Sequence, residues 1–431
     1  MSHGTIFALA SGAGRAALSV LRLSGPEAGN VLRVIAGRLP APRHASLCRL
    51  RNAQGETLDE ALVIWFPAPA SYTGEDVAEL HLHGGRAVLL GVTDALVALG
   101  TRPAEAGEFT RRAFLHGRLD LTEAEGIADL IAADTAEQRR QALAQAGGAL
   151  SRRNAGWTAQ CAGLLAHQEA AIEFAEDDLP NDLTLRAQAG ARALSAEIKA
   201  ELAQASRGER LRVGLTMAIL GAPNAGKSSL LNALAEREAA IVSPLAGTTR
   251  DVIEIGLDLG GIPVTLCDTA GLRNAAEAIE AEGVRRALAR AETADLRLLL
   301  FTADAAPDAA TLALVGPDAI VIGTKADLGP PAIDGALQVS TRTGLGLDTL
   351  RARLVEAAAE RARGGGVLTR PRHRAALGEA VHWLDEAAQA RLPELVAEAL
   401  RAALRALGRL SGTVDVEAIL DIVFREFCIG K

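Results

Sequence analysis

The sequence is poor in aromatic residues and has no excess of positive charge. Aromatic side chains make up 3% of the 431 residues, so most of a hydrophobic fraction of 49% is Leu, Val, Ile and Ala. Lys and Arg number 45 against 53 Asp and Glu, which gives a net charge of −8. This composition is that of a globular chain, and its charge excludes a protein that coats nucleic acid through a general positive field.

Cysteines are few and long apolar runs are absent. Cys48, Cys161, Cys267 and Cys428 lie far apart, without metal-ligand or disulfide spacing. No uninterrupted apolar run reaches the roughly 18 residues of a membrane span. The N-terminus, MSHGTIFALASG, lacks the basic start and long apolar stretch of a secretory signal. We therefore expect a soluble cytoplasmic protein with no membrane partner.

Three kinds of hydrophobic pattern divide the chain into four predicted segments. Residues 1–117 mix strand and helix patterns and predict an α+β domain. Residues 118–210 and 364–431 carry apolar residues at helical spacing and predict the two halves of a discontinuous helical domain. Residues 211–363 alternate strands and helices, which predicts an α/β domain inserted between those halves. An insert joined at two nearby points can move as a unit.

Local signals place individual elements. Ser46–Leu50 and Leu62–Phe66 flank a polar turn at Asn52–Gly55 and predict a hairpin. Gly260-Gly261 predicts the turn of a second hairpin in the inserted domain. Thr122–Glu125 reads as a capping box at the start of a helix.

A phosphate-binding loop begins the inserted domain. Gly221–Ser228 has the complete pattern G-x-x-x-x-G-K-S and lies between a predicted strand, Met217–Leu220, and a helix opening at Ser229. In such a loop the glycines let backbone amides converge on phosphates, Lys227 reaches the β and γ oxygens, and the Ser228 hydroxyl ligates Mg²⁺. The pattern predicts a P-loop nucleotide site of Ras-like fold.

Two motifs after the loop, one before the next parallel strand and one at its end, complete the triphosphate end. Asp268–Gly271 ends that strand, where Asp268 is expected to hold Mg²⁺ through water and the Gly271 amide to sense the γ-phosphate. Gly247–Asp251 offers Thr249 as the second protein ligand of Mg²⁺.

The predicted base is guanine. Thr324-Lys325-Ala326-Asp327 resembles the base-recognition motif N-K-x-D, with Thr324 in the usual place of Asn. A carboxylate at Asp327 accepts from guanine N1–H and the 2-amino group, which adenine does not offer. Ser340–Arg342 is a weaker base-contact loop. The predicted GTP contacts are Asn224, Ala225, Gly226, Lys227, Ser228, Ser229, Ser243, Pro244, Leu245, Ala246, Gly247, Thr248, Thr249, Asp268, Thr269, Ala270, Gly271, Thr324, Lys325, Ala326, Asp327, Ser340, Thr341 and Arg342.

Hydrolysis requires a substitute for the glutamine that positions water in Ras-like proteins, because Leu272 stands there. In related GTPases an Asn at the position of Asn224 helps to bind K⁺, which neutralises developing phosphate charge. The carbonyls of Ser243 and Leu245, with Thr248, would complete the K⁺ shell. The alternative for Asn224 is an amide that only stabilises its loop.

Motifs outside the inserted domain carry a specific resemblance over essentially the whole chain. They are Leu21–Pro26, Ser71–Asp76, Glu79–Gly85, Gly107–Thr110, Arg112–Leu115 and Phe427–Lys431. Together they resemble the tRNA modification GTPase family, called MnmE or TrmE. The resemblance implies a homodimer whose N-terminal domains bind a 5-formyl- or 5,10-methylene-tetrahydrofolate donor. It also implies a heterotetramer with the FAD-dependent partner MnmG, which modifies C5 of the wobble uridine (position 34) of certain tRNAs.

The same resemblance assigns residues. Arg22, Glu79, Arg118 and Lys431 match the folate-contact positions, with Arg118 replacing the usual Lys; without the resemblance each is an ordinary surface charge. The predicted catalytic residues are Lys227 and Asn224 of the phosphate loop and two residues that the resemblance adds. Glu280 matches the glutamate that orients the attacking water, and Cys428 matches a terminal cysteine that is either a nucleophile or a buried apolar residue.

Two other functions fit parts of the sequence. A GTP-switched ribosome-assembly factor shares the phosphate loop and the G-T-T-R-D segment, but it needs an RNA-binding module, for which the chain has no signature. Alternatively, the N-terminal domain is a dimerisation scaffold without a ligand.

Overall fold

The computed structural model describes residues 4–12, 14–173, 183–237, 240–241, 253–268, 293–330, 333–414, 420, 423–424, 427 and 430. Two compact units are present. The first comprises Met1–Ala128, Ala146–Thr158 and Arg405–Lys431, and the second comprises Asp129–Gln145 and Ala159–Leu404. The four-segment division drawn from the sequence remains a prediction. No described helix combines the length and the apolar character of a membrane-spanning segment.

The first unit is built on a six-stranded sheet in the order β3-β4-β5-β2-β1-β6. Its strands are β1 Ile6–Leu9, β2 Leu18–Ser24, β3 Ser46–Arg51, β4 Thr57–Phe66, β5 Val77–His83 and β6 Arg102–Pro103. Neighbours are antiparallel except for β1 and β6. Side chains alternate between the two faces, so Leu80 and Leu82 of β5 are fully buried while Glu79, on the other face, is only partly buried.

Helices α1 Ala28–Ile35 and α2 Arg86–Ala98 cover the apolar face of this sheet. The unit also contains α3 Glu108–Leu115 and parts of α4 Leu121–Ala132, α6 Ala149–Glu173 and α13 Pro393–Ser411. Near the C-terminus, Phe424 and Phe427 pack against Leu121. Gly107 has φ +68°, and a Cβ there would lie 2.5 Å from the carbonyl oxygen of Phe424, so this approach requires glycine.

Two local predictions for this unit need correction. The predicted second strand of the first hairpin is too short, because β4 begins at Thr57 and pairs with β3 from that residue. The capping box is formed by Asp120 and Glu123, not by Thr122 and Glu125: each backbone amide donates to the other's carboxylate at 2.8 Å. Asp caps as well as Thr does, and this register makes Leu121 the first buried helical residue.

The second unit contains a seven-stranded sheet in the order β13-β12-β11-β7-β10-β9-β8. The strands are β7 Leu215–Gly221, β8 Ala240–Ile241, β9 Ile253–Leu259, β10 Ile262–Asp268, β11 Leu296–Thr302, β12 Ala319–Thr324 and β13 Leu337–Gln338. Among the described strands, β9 is antiparallel to both of its neighbours, β8 and β10, and all other pairs are parallel. The predicted hairpin turn at Gly260-Gly261 is confirmed, with φ of +66° and +90° and with Leu259 paired to Ile262.

The helices of the second unit lie before, within and after the sheet-forming segment in sequence. They are α5 Ala136–Ala146, α7 Leu183–Leu202, α8 Ala205–Val213, α9 Lys227–Arg237, α10 Ala309–Leu312, α11 Leu347–Ala362, α12 Pro371–Gln389 and the remaining parts of α4, α6 and α13. Helix α7 packs on α12, where Ser195 Oγ and Lys199 Nζ donate to Asp385 at 2.6 and 2.8 Å. A Cβ on Gly208 would lie 2.2 Å from the Leu368 carbonyl oxygen. The chain therefore enters and leaves the sheet-forming segment at neighbouring points.

Candidate functional site

The phosphate loop links the central strand β7 to helix α9. Gly221 has φ +156°, and a Cβ there would lie 2.7 Å from the Leu300 carbonyl oxygen. Asn224 and Gly226 are also left-handed, with φ of +65° and +88°. Asn tolerates this conformation better than most residues. The tight turn leads directly into α9, whose first amides have no partner within the helix and favour an anion.

Lys227 lies folded over its own loop. Its side chain is 8% exposed, and Nζ donates to the carbonyl oxygens of Gly221 at 2.6 Å and Ala222 at 2.9 Å. A phosphate group at the start of α9 would attract this ammonium group more strongly than neutral carbonyls do. The geometry therefore suits a cation that turns toward a bound phosphate.

The end of β10 lies beside this loop, because Asp268 pairs with Ile219 in the parallel register of β10 and β7. The remaining residues predicted for the triphosphate end lie outside the described part of the chain. They are Ser243, Pro244, Leu245, Ala246, Gly247, Thr248, Thr249, Thr269, Ala270, Gly271 and Glu280.

The two predicted base loops meet at Asp327. Ser340 Oγ donates to Oδ1 at 2.6 Å, and Arg342 Nη2 contacts Oδ2 at 2.7 Å. These two groups, chiefly the Ser340 hydroxyl, lower the pKa of Asp327. The carboxylate is thus ionised near neutral pH and able to accept hydrogen bonds from a base. The structure therefore brings Thr324–Asp327 and Ser340–Arg342 together as the sequence predicts.

A cavity of about 300 Å³ lies between the phosphate loop and Lys325 of the first base loop. It is lined by residues 222–225, 300–302 and 304–308 and by Lys325. Lys325 Nζ contacts Asp304 at 2.9 Å, and this hydrogen bond lowers the pKa of Asp304. The 304–308 segment was not identified from the sequence, because it carries no motif and reaches the cavity only through the order of β11 and β12.

In the first unit, Arg22 and Glu79 face each other across β2 and β5. Arg22 Nε and Nη2 donate to Glu79 Oε1 at 3.0 and 2.8 Å. The guanidinium carbon lies 5.5 Å from the ring centre of Tyr72 and 5.9 Å from that of Phe109. Burial raises the pKa of Tyr72, whose hydroxyl is 2.8 Å from Thr110 Oγ1. Both rings lie in motifs noted in the sequence, but their contact with Arg22 needs the fold.

Of the other predicted folate positions, the structure describes Arg118 but not Lys431. Arg118 is exposed, and its aliphatic stem packs beside Gly74, two residues after Tyr72. Gly430 has φ +106°, and a Cβ there would lie 2.1 Å from the carbonyl oxygen of Leu9, so the chain end passes over β1. Cys428 and Lys431 lie outside the described residues.

Comparisons with known proteins cover the whole length. The family model for the TrmE N-terminus, described as a GTP-binding protein, matches residues 5–118, and the MnmE helical domain model matches 121–428. The chain is 54% identical to the tRNA modification GTPase MnmE of Granulibacter bethesdensis and to that of Rhodospirillum rubrum, with 100% of each chain covered. A Gluconacetobacter diazotrophicus relative of the same name is 56% identical, over 99% of this chain and 98% of that one.

The chain belongs to the tRNA modification GTPase MnmE family. It is a GTP hydrolase that acts in tRNA modification. Among solved structures, the G domain of the T. maritima FeoB iron transporter is 27% identical over 33% of this chain and 98% of that one, with a TM-score of 0.25. A score that low adds nothing to the family assignment.

Membership in the MnmE family gives the charged groups of the two units different contexts. The phosphate loop, Lys227 and Asp327 lie in the segment predicted to bind GTP, where the structure describes the phosphate loop and the base loops. Arg22 and Glu79 lie in the TrmE N-terminal region, residues 5–118. A function of the chain in tRNA modification has to account for both.

Proposed function

We propose that the protein is a K⁺-stimulated GTPase that works with an FAD-dependent MnmG-type partner on the wobble uridine of certain tRNAs. It installs aminomethyl or carboxymethylaminomethyl groups at C5, and a tetrahydrofolate derivative donates the one-carbon unit. The observation that carries this proposal is the full-length identity of 54% to relatives named tRNA modification GTPase, which extends through both units.

In the GTPase part, GTP lies along the cavity between the phosphate loop and Asp327. Lys227 leaves the carbonyls of Gly221 and Ala222 and binds the β and γ oxygens, while Asp327 accepts from guanine N1–H and the 2-amino group. The Ser228 hydroxyl suits Mg²⁺, an oxygen-seeking ion, with Thr249 as its second protein ligand. Glu280 orients the attacking water.

A K⁺ ion is compatible with the conformation of Asn224. Its left-handed backbone, φ +65°, is one that Asn adopts readily, and the side-chain amide offers the oxygen that an alkali cation requires. Ser243, Leu245 and Thr248 complete the proposed shell. When bound, K⁺ supplies positive charge at the transferring phosphate.

The folate region has a donor set that fits a pterin ring and a glutamate tail. Glu79 accepts hydrogen bonds, Arg22 and Arg118 carry positive charge, and Tyr72 and Phe109 place aromatic surface beside Arg22. Lys431 adds a cation from the C-terminus. We propose that this site works in a homodimer formed by the N-terminal domains, and that the dimer joins the partner in a heterotetramer.

The test is mass spectrometry of tRNA nucleosides from cells that lack the gene. Loss of C5-aminomethyl wobble uridines, and their return with the wild-type gene but not with Lys227→Met or Glu79→Gln, is expected. Unchanged nucleosides in the deletion strain would contradict the proposal and favour the ribosome-assembly alternative. Return with Glu79→Gln would leave the GTPase role standing and favour an N-terminal scaffold without a ligand.

K⁺ dependence is tested separately with Asn224→Gly, which keeps the left-handed backbone and removes only the side-chain amide. GTP turnover in KCl is expected to fall to the NaCl rate while GDP affinity is retained. Equal turnover of the wild-type protein in KCl and NaCl would contradict K⁺ stimulation.

A further inference from the structure

The position of Thr324 connects the two ends of the nucleotide cavity. Thr324 is the last residue of β12 and the first of the T-K-A-D motif, and it is 5% exposed. Its Oγ1 donates to the carbonyl oxygen of Ala225 in the phosphate loop at 2.8 Å, and the Phe301 carbonyl lies 3.3 Å away. A single side chain thus joins the base loop to the phosphate loop, 99 residues apart in sequence.

The chemistry of a hydroxyl limits what Thr324 does beyond this link. A threonine hydroxyl has one proton to donate and otherwise only accepts. The Ala225 and Phe301 carbonyls take that proton. The N7 and O6 atoms of guanine are both acceptors, so the remaining lone pairs of Oγ1 do not match that edge of the base.

Neighbouring peptide groups are also committed within the protein. The Ala326 amide donates to the Val339 carbonyl at 3.2 Å, and the Thr324 carbonyl accepts from the Ala303 amide at 3.2 Å. Asp327 is different, because its carboxylate is an acceptor and matches the N1–H and 2-amino donors on the opposite side of the base.

We infer that Thr324 is a positioning residue that ties the base loop to the phosphate loop, and that this chain selects guanine without a contact to N7. The inference rests on the proposed assignment of residues 324–327 to guanine. Specificity then comes from the edge that Asp327 reads, while Thr324 fixes the distance between that edge and the phosphates.

The first experiment measures the affinity of the full-length protein for GDP and for 7-deaza-GDP, in which C–H replaces N7. We expect wild-type affinities within about twofold of each other, since no hydrogen bond is lost. Thr324→Asn supplies an amide with two protons, so one can reach N7. This variant is expected to favour GDP over 7-deaza-GDP by about three- to tenfold.

A second pair of variants tests the link itself. Thr324→Val keeps the side-chain shape but removes the donor, and it is expected to weaken GDP and 7-deaza-GDP binding equally, by about tenfold. Thr324→Ser should restore both affinities. Thr101→Val is the matched control: it removes a buried hydroxyl bond to the Leu96 carbonyl, 2.7 Å long, from the first unit, and should leave GDP affinity unchanged.

Wild-type protein that binds GDP at least about fivefold more tightly than 7-deaza-GDP would overturn the inference, because a protein donor would then read N7. So would a folded Thr324→Val variant with wild-type affinity. Should that variant fail to fold, the wild-type comparison and Thr324→Ser still decide. The Asp327→Asn variant tests the assignment of residues 324–327 to guanine independently of the role of Thr324. Unchanged GDP affinity of this variant would show that residues 324–327 do not bind guanine.

Discussion

Two buried cations, one in each compact unit, have the same exposure and different surroundings. Arg112 and Lys227 are both 8% exposed. Arg112 contacts the carboxylates of Glu75 and Glu108, each at 2.9 Å, whereas Lys227 donates to backbone carbonyls of its own loop. Opposite full charges fix a side chain more firmly than neutral dipoles do. Burial alone therefore does not separate a structural cation from a functional one, and the acceptors of their hydrogen bonds have to be compared as well.

The largest expected effect is on stability, from Arg112→Leu. Removing the guanidinium leaves two carboxylates without their shared partner, which should lower the free energy of unfolding of the first unit by about 3–5 kcal/mol. Urea unfolding measures the change in the free energy of unfolding, and hydrogen exchange shows whether the destabilisation lies in the first unit. Arg49→Leu is the control, since the Arg49–Glu60 pair is over half exposed on both sides and should cost less than about 1 kcal/mol. Equal effects of the two variants would break the comparison.

Lys227→Met should have the opposite profile. Without the ammonium group, GTP turnover should fall by about 100- to 1,000-fold, because charge developing on the phosphates loses its counter-charge. Stability in urea should change by less than it does for Arg112→Leu, since the hydrogen bonds from Nζ to Gly221 and Ala222 go to neutral carbonyls. Phosphate release under saturating GTP measures the first quantity. Lys199→Met, which removes an exposed pair with Asp385, should leave turnover unchanged.

The ion pairs around Arg112 also predict acid sensitivity of the first unit. Burial raises the pKa of Glu108, but hydrogen bonds from Arg102, the Glu105 amide and Arg112 outweigh it and lower the pKa from 4.5 to about 2. A depressed folded-state pKa means that Glu108 stabilises the unit above the unfolded-state pKa and loses that contribution as pH falls from 4.5 toward about 2.

The free energy of unfolding of the wild-type protein should therefore fall steeply as pH decreases across that range. The same measurement on Glu108→Gln should show a weaker dependence on pH. A variant with the wild-type pH dependence would show that another group carries the acid sensitivity. Lys227→Met should leave the pH dependence of the unfolding free energy unchanged, which separates the role of Lys227 from that of the ion pairs around Arg112.

How well the sequence predicted these features depends on the range of the interactions. The phosphate loop and the Gly260-Gly261 turn were predictable because their patterns are local and their glycines have the positive φ angles that favour glycine. The cap of α4 was placed two residues too late, since Asp120 and Thr122 are both good caps and the choice depends on burying Leu121. The link from Thr324 to Ala225 could not be read from the sequence, because it exists only once β12 lies beside the loop.

The smallest expected effect concerns the Asp327 carboxylate, where two variants separate the contribution of a hydroxyl from that of a guanidinium. It is held by a neutral hydroxyl from Ser340 and by Arg342, whose side chain is 75% exposed. Ser340→Ala should weaken GDP binding by about three- to tenfold, because a partly buried hydrogen bond that orients the acceptor is lost. Arg342→Ala should weaken it by less than about threefold, since exposed ion pairs contribute little.

The pH profile shows whether orientation or ionisation is responsible for the Ser340 effect. Losing the Ser340 hydroxyl moves the pKa of Asp327 back toward 3.8, still well below neutrality, so the carboxylate stays charged. The ratio of wild-type to Ser340→Ala affinity should then be constant between about pH 6 and 8. A ratio that changes with pH, or a larger loss from Arg342→Ala, would mean that the exposed guanidinium, and not the Ser340 hydroxyl, governs this carboxylate.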